Sequence, residues 1–226
     1  MKHTKRILSI ALALLMLALS ALCFASCGEA KGPFVYVTVA DENGEIVALY
    51  EKVEFTEGMT VDAALAALHE KKCEGGYASA ESTYGLSMTK LWGVENGGSY
   101  GYYVNNASPS SLADTLKEND HVYAFIYTDT AAFSDVYAFF SAPTAEAAKG
   151  EGLALTLSCA GYDESWNAVT LPVAGAKIYV DGEESTFVTD AEGKVTLTFE
   201  KAGTYVVTAK SESMTLVPPF VTVTVK

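Results

Sequence analysis

Arginine is all but missing from this 226-residue chain: Arg6 is its only one. Histidine is nearly as scarce, with His3, His69 and His121, and only four cysteines are present. Each shortage excludes something. Without arginine there is no bidentate fork to read guanine or to grip phosphate. The formal charge of −13 adds repulsion from any phosphate backbone, so a nucleic-acid partner is excluded and adsorption to anionic lipid heads is disfavoured. The acidic excess otherwise serves solubility. His69 and His121 fall on different predicted elements, with no cysteine or carboxylate at metal-ligand spacing around either. His69 lies near the end of a predicted helix, where a solvated or capping role suits the dipole. His121 follows Asp120, but a triad would also need a serine on a recognisable nucleophile turn, and none is assigned. No glycine loop for phosphate is found. Asp190-Ala191-Glu192-Gly193 lacks the full calcium-loop spacing and reads as a hairpin turn. The expectation is a chain that is not an enzyme, with no metal and no cofactor.

The N-terminus divides like an export signal. Lys2, Lys5 and Arg6 make a basic segment, and Ile7 to Leu22 is apolar except for Ser9 and Ser20. That run is shorter than the ~20 residues a spanning helix needs. Small residues then lead to a cysteine in Phe24-Ala25-Ser26-Cys27, which resembles the bacterial lipobox. The departure is Phe24, where leucine is usual. Cys23 is the poorer choice because bulky Leu22 precedes it. The alternatives are an ordinary cleaved signal or a short membrane helix. The resemblance implies a signal peptide over 1–26, a lipid on Cys27, and a mature chain on the extracytoplasmic face of the cell membrane. A tether closes the segment 27–33.

Removing the leader takes three basic residues of fifteen and no acid, leaving twelve lysines against 28 Asp and Glu, a formal charge of −16. The 200 mature residues suffice for two domains of roughly 100. Cys73 and Cys159 lie 86 residues apart in different predicted domains; both read as small buried apolar residues rather than a disulfide. The reading is mainly β with one or two helices: a β-grasp-like α+β domain over 34–130, then an immunoglobulin-like β-sandwich over 131–226. In the first, Phe34–Val39 and Ile46–Phe55 form a hairpin about Asp41-Glu42-Asn43-Gly44. Thr60 caps a helix with Asp62 in its first turn and Val61, Ala64, Leu65 and Leu68 on its apolar face. Strands are expected at Leu86–Trp92, Tyr100–Asn105 and His121–Tyr127, with a short helix over Ser110–Leu116.

The run Gly97-Gly98-Ser99-Tyr100-Gly101-Tyr102-Tyr103-Val104-Asn105-Asn106, with Leu116-Lys117-Glu118-Asn119-Asp120 and Val122–Tyr127, resembles a bacterial domain family similar to the C-terminal β-domain of transcobalamin and intrinsic factor. Gly58-Met59-Thr60-Val61-Asp62-Ala63 fits its glycine-then-helix opening. The resemblance covers roughly residues 33–130. Both motif glycines are asparagine here, at Asn106 and Asn119, a residue that tolerates the left-handed conformation such turns demand. The resemblance implies ligand capture, with a corrinoid covered on one face by this domain. The helical half that holds the other face in those relatives has no counterpart here.

The second half carries strands at Phe133–Ser141, then, after a Pro/Ala/Gly linker, at Leu153–Cys159, Ala176–Asp181, Thr186–Thr189, Lys194–Phe199, Thr204–Lys210 and Phe220–Lys226. Seven short strands split by turns suggest a sandwich. Thr189–Val195 followed by Ala202–Ala209 resembles bacterial surface Ig-like modules. In that frame Tyr205 falls at a tyrosine corner and Cys159 at the second-strand cysteine. The position facing it is Val207, so no disulfide is expected.

One feature has binding character, the density of Trp92, Tyr100, Tyr102, Tyr103, Tyr123, Phe125 and Tyr127. Alternation sends Tyr100 and Tyr102 to one face and Tyr103 to the other. One set fills the core; the other makes a platform for a flat ligand, a sugar or a protein, unless all are ordinary strand aromatics. Trp92, Tyr100, Tyr102, Tyr103 and Asn105 are the candidate ligand-binding residues. The functional expectation is an envelope-anchored ligand-binding lipoprotein, with a structural or adhesive module for a glycan or surface protein as the alternative.

Overall fold

The computed structural model describes residues 32–226, so the leader and Cys27 lie outside the described residues. The fold is mainly β, with one helix among the described residues. Strands β1 (Phe34–Ala40) and β2 (Ile46–Glu54) form the expected hairpin. Its turn is tied by Asp41 Oδ1, which accepts from the Asn43 and Glu45 N–H groups at 2.9 Å each. Helix α1 (Val61–Lys72) starts at Thr60, whose Oγ1 accepts from Ala63 N–H at 3.1 Å. A separate hairpin, β3 (Ala78–Ser82) with β4 (Gly85–Lys90), precedes β5 (Tyr100–Val104) and β6 (His121–Ile126).

The sheet order is β2-β1-β6-β5, with β1 and β6 parallel at its centre. That order, with one helix across a face, is the grasp-like arrangement expected. Asn106 and Asn119 sit at φ +65° and +69°, in the left-handed turns that glycine would otherwise occupy. Residues 110–116 are not the expected helix. The carbonyls of Leu112 and Asp114 accept from the N–H groups of Asp62 and Val61 at 2.9 and 3.1 Å. They satisfy the orphan donors at the start of α1 instead of building a turn of their own.

The second half is a two-layer sandwich. One layer runs β10 (Ala168–Pro172), β9 (Gly152–Tyr162), β7 (Val136–Phe140), β15 (Leu216–Val217), with β13 (Lys194–Thr198) also on β9. The other runs β12 (Glu183–Val188), β11 (Lys177–Val180), β14 (Gly203–Lys210), β16 (Phe220–Val225), β8 (Thr144–Ala147). Alternate residues of both layers, among them Leu155, Leu157, Ile178, Leu197, Val207 and Val223, interlock as one core. The chain leaves β7 in the first layer and enters the second through Pro143, where β8 lies parallel to β16. The segment expected as a linker therefore holds an edge strand. The short strands Ala78–Ser82, Ala168–Pro172 and Leu216–Val217 were likewise not expected. Ala78–Ser82 is built of alanine, serine and glutamate, which have little β propensity, and Leu216–Val217 is only two residues long, so pairing decides both. Tyr205 forms the corner: its hydroxyl donates to Lys201 C=O at 2.9 Å. Cys159 is buried beside the same core as Val207, and Cys73 is only half-buried where α1 ends; both are free thiols.

The grasp-like sheet is covered on both faces. Val35, Val37, Val39, Val122, Ala124 and Ile126 meet α1. On the reverse, Tyr103 stacks on Tyr137 of the sandwich at 3.8 Å and 6°. Tyr123 donates to Pro218 C=O at 2.6 Å, and Tyr137 to Asn106 Oδ1 at 2.9 Å. Phe125, Val217 and Phe220 complete this aromatic joint. His121 belongs to it as well, with Nε2 2.9 Å from Thr38 Oγ1 and its ring edge-on to Phe220 and Tyr50. Burial lowers its pKa to about 4. Gly101 leaves room for the Phe125 ring, which a Cβ there would meet at 2.1 Å.

Gly101→Ala should therefore destabilise the protein by about 1–3 kcal/mol through overpacking, read as a lower urea midpoint with an unchanged slope. A wild-type midpoint would show that Phe125 does not use that space. His121 makes stability depend on pH with a definite sign. The unfolded chain protonates it near 6.5 and the folded chain only near 4, so unfolding takes up a proton between those values. Stability should fall as pH drops through this window and level off below it, by no more than about 3 kcal/mol from this group. Urea midpoints at pH 7 and pH 4.5, compared between wild type and His121→Asn, isolate the contribution; identical pH slopes would remove it.

Candidate functional site

The five candidate binding residues do not share one surface. Tyr100 braces the loop between β4 and β5: its hydroxyl lies 2.8 Å from Val94 C=O and 3.0 Å from Thr89 C=O, and accepts from Asn96 N–H at 3.2 Å. Trp92, at φ +50°, packs edge-on to His69 and donates its backbone N–H to His69 Nε2 at 3.3 Å. His69 is thus not the solvated or capping residue expected from its position. It is 2% exposed, its Nδ1 lies 2.6 Å from Leu65 C=O, and burial lowers its pKa. Those contacts require the neutral ring with the proton on Nδ1. Tyr102 is half-buried against the helix-side core. Burial raises its phenol pKa, as does the nearby Asp114 carboxylate. Asn105, at φ +50°, locks a turn by donating to Asp120 Oδ1 at 2.7 Å and accepting from His121 N–H at 2.9 Å. Tyr103 is the stacking half of the joint.

No catalytic set assembles from these groups. The Asp120 carboxylate is spent on Asn105 and on Lys117 N–H, so the sequence neighbours Asp120 and His121 do not form a dyad. Gly97-Gly98-Ser99-Tyr100-Gly101 does carry the Gly-x-Ser-x-Gly spacing, which corrects the reading that assigned no such serine turn. The nucleophile elbow leads from a strand into a helix, whereas this turn leads from a loop into β5. Ser99 is buried, and its hydrogen bonds run to Asn96 and Tyr127, with no histidine among them. Among the described residues, no three His, Cys, Asp or Glu side chains converge as metal ligands. Asp190 closes the expected hairpin turn by accepting from Glu192 and Lys194 N–H groups.

Two loops do something different: each holds a large aromatic side chain out in water. Between β9 and β10, Asp163 Oδ1 accepts from Ser165 and Asn167 N–H groups at 2.8 Å each, and Oδ2 accepts from Asn167 Nδ2 at 2.9 Å. Trp166 caps this turn at φ +62° and is 81% exposed. Before β7, Asp129 Oδ1 accepts from Ala131 and Ala132 N–H groups at 3.1 and 3.0 Å, and Oδ2 from Ser134 Oγ at 2.6 Å. Phe133 sits there at φ +53°, 51% exposed. A positive φ is strained for an aromatic residue, and Trp92 and Tyr50 adopt it as well, packed against His69 and Tyr36. These hydrogen bonds also lower the pKa of Asp129 and Asp163, so both carboxylates stay ionised.

The two loops frame one aromatic ledge. Trp166 lies 6.1 Å from the ring of Tyr162, itself 63% exposed. Burial raises the phenol pKa values of Tyr103 and Tyr127; Tyr127 adds to the first and Asp135 to the second, with a lesser addition from Tyr162 in each. Tyr127 meets Phe133 edge-on at 5.3 Å. The grasp-like half supplies Tyr103 and Tyr127, the segment leading into the sandwich supplies Phe133, and the sandwich supplies Tyr162 and Trp166. Sequence reading missed the last three; the legible signal is an aspartate three or four residues before an aromatic and a Ser or Asn after it.

Elsewhere, a cleft of about 750 Å³ runs between the β1–β2 turn and the β11–β14 side of the sandwich. Ile46, Leu49 and Leu216 line it, with Glu42, Glu212 and Lys210 also on its walls. The void beside His121 in the joint is about 30 Å³, room for water only.

No protein-family model matches this chain, and no curated protein matches it in sequence. Among solved structures it is similar to the N-terminal Ig1-2 module of the Drosophila receptor protein tyrosine phosphatase DLAR, at 14% identity over 87% of this chain and 97% of that one, with a TM-score of 0.28. Tandem Ig repeats of Dlar align at 15% identity over 67% and 75%, with a TM-score of 0.26. The four N-terminal Ig domains of Dscam1 isoform 6.9 align at 11% identity and a TM-score of 0.26; the match covers 66% of this chain and only 36% of that one. The immunoglobulin-like strand arrangement of the second half rests on the pairings described above.

Proposed function

We propose that this chain is a non-catalytic binding module, displayed on the extracytoplasmic face of the cell membrane by a lipid on Cys27, that engages a surface protein or glycan. The observation that carries the proposal is the composite aromatic ledge. Exposed Trp166, Tyr162 and Phe133, each on a turn or strand end fixed by hydrogen bonds, offer apolar area at little cost in ordering. The joint holds the two halves in one orientation, so the ledge is already formed before a partner arrives. With Tyr103 stacked on Tyr137 and Tyr100 braced in its loop, the platform expected on β5 is engaged within the protein, and the ledge takes its place.

Tyr162→Ala/Trp166→Ala should abolish retention of purified envelope fragments or host surface glycoproteins by the immobilised mature protein, with the thermal midpoint unchanged. Retention equal to wild type would place the site elsewhere.

The cleft of about 750 Å³ favours a second reading, capture of a small ligand, with the corrinoid-like molecule implied by the family resemblance as the first to try. Titration of the soluble mature protein with cobalamin and cobinamide should then give heat and a spectral shift. Neither signal in the millimolar range would eliminate a corrinoid.

A further inference from the structure

The charge around the ledge narrows what it takes. Between Ile126 and Val136, and between Tyr162 and Ala168, the chain carries Asp129, Asp135, Asp163 and Glu164 and no lysine or arginine. Elsewhere the protein covers aromatic rings with its own lysines: Lys52 lies 5.4 Å from the centre of Phe34 and Lys210 5.1 Å from that of Tyr179. Among the described residues no such cation covers Trp166 or Tyr162, although tryptophan has the strongest attraction for one. Two exposed π-faces beside ionised carboxylates, with no internal cation, make a surface complementary to positive charge.

Resting on the reading of the ledge as the binding surface, we infer that its occupant is a cationic segment of a partner protein, whose Lys or Arg side chains lie over Trp166 and Tyr162 and are neutralised by Asp163 and Glu164. The carboxylates act at longer range and set salt dependence; the rings supply the contact. A neutral glycan would use the rings and gain nothing from the charge.

The mature chain is titrated with a peptide of alternating lysine and glycine, and in parallel with chitotetraose. Trp166→Ala leaves the net charge untouched and lies on an exposed loop. It should weaken peptide binding by about tenfold, the scale of one or two cation–π contacts. Glu164→Gln should weaken it less, and added salt should weaken all variants. Peptide binding that survives Trp166→Ala unchanged is long-range attraction to an acidic protein and overturns the inference, as does no peptide binding at all. Trp166-dependent binding of chitotetraose without the peptide also overturns it while leaving the ledge as the binding surface. Loss of the ledge itself is read separately, from envelope retention by the double variant.

Discussion

The rest of this protein depends on a single constraint: the central sheet of its first half is apolar on both faces. Strands β1 and β6 send valines and alanines toward α1 and aromatic side chains the other way. A sheet of four short strands with Tyr103, Tyr123 and Phe125 facing water would expose a large apolar patch. The sandwich removes that cost by laying Tyr137, Val217 and Phe220 against it. Burial and ring stacking hold the joint, and its polar atoms are matched: both buried tyrosine hydroxyls find acceptors across the seam, at Pro218 and Asn106. The two halves therefore behave as one unit, whereas modules joined only by a linker would move independently.

In the ledge, Tyr162 and Trp166 both belong to the β9–β10 hairpin of the sandwich, while Phe133, in the segment joining the halves, is held edge-on by Tyr127 of the first half. The two exposed loops use the same device, an aspartate that collects backbone N–H groups and leaves a bulky residue at positive φ pointing outward. The turns satisfy their own polar groups locally, so the rings stand clear in water.

Much of the fold was legible in local chemistry. Asp41-Glu42-Asn43-Gly44 between alternating strands could only be a hairpin turn, Thr60 with Asp62 opened a helix, and Tyr205 returned its hydroxyl to a carbonyl four residues back. Where local signals were weak, reading failed. Thr144–Ala147, with two alanines and a glutamate, has little preference for strand and becomes one by lying beside β16. Ser110–Leu116, expected to be a short helix, gives the carbonyls of Leu112 and Asp114 to the start of α1 instead. His69 sat where a helix end is normally wet, and only the folding of Tyr77 and Trp92 over it made the site dry.

Sequence by itself determined the acidic, arginine-poor character, the grasp-then-sandwich order, and the alternation that separates Tyr103 from Tyr100 and Tyr102. Tertiary structure alone decided which of those faces meets water. A period of two is the same whether the far side of a strand faces solvent or a second layer of protein. Only the docking of Tyr137 onto Tyr103 turned the expected platform into a joint, and Trp166, Tyr162 and Phe133 stay exposed, as does Tyr84 at the tip of the β3–β4 hairpin.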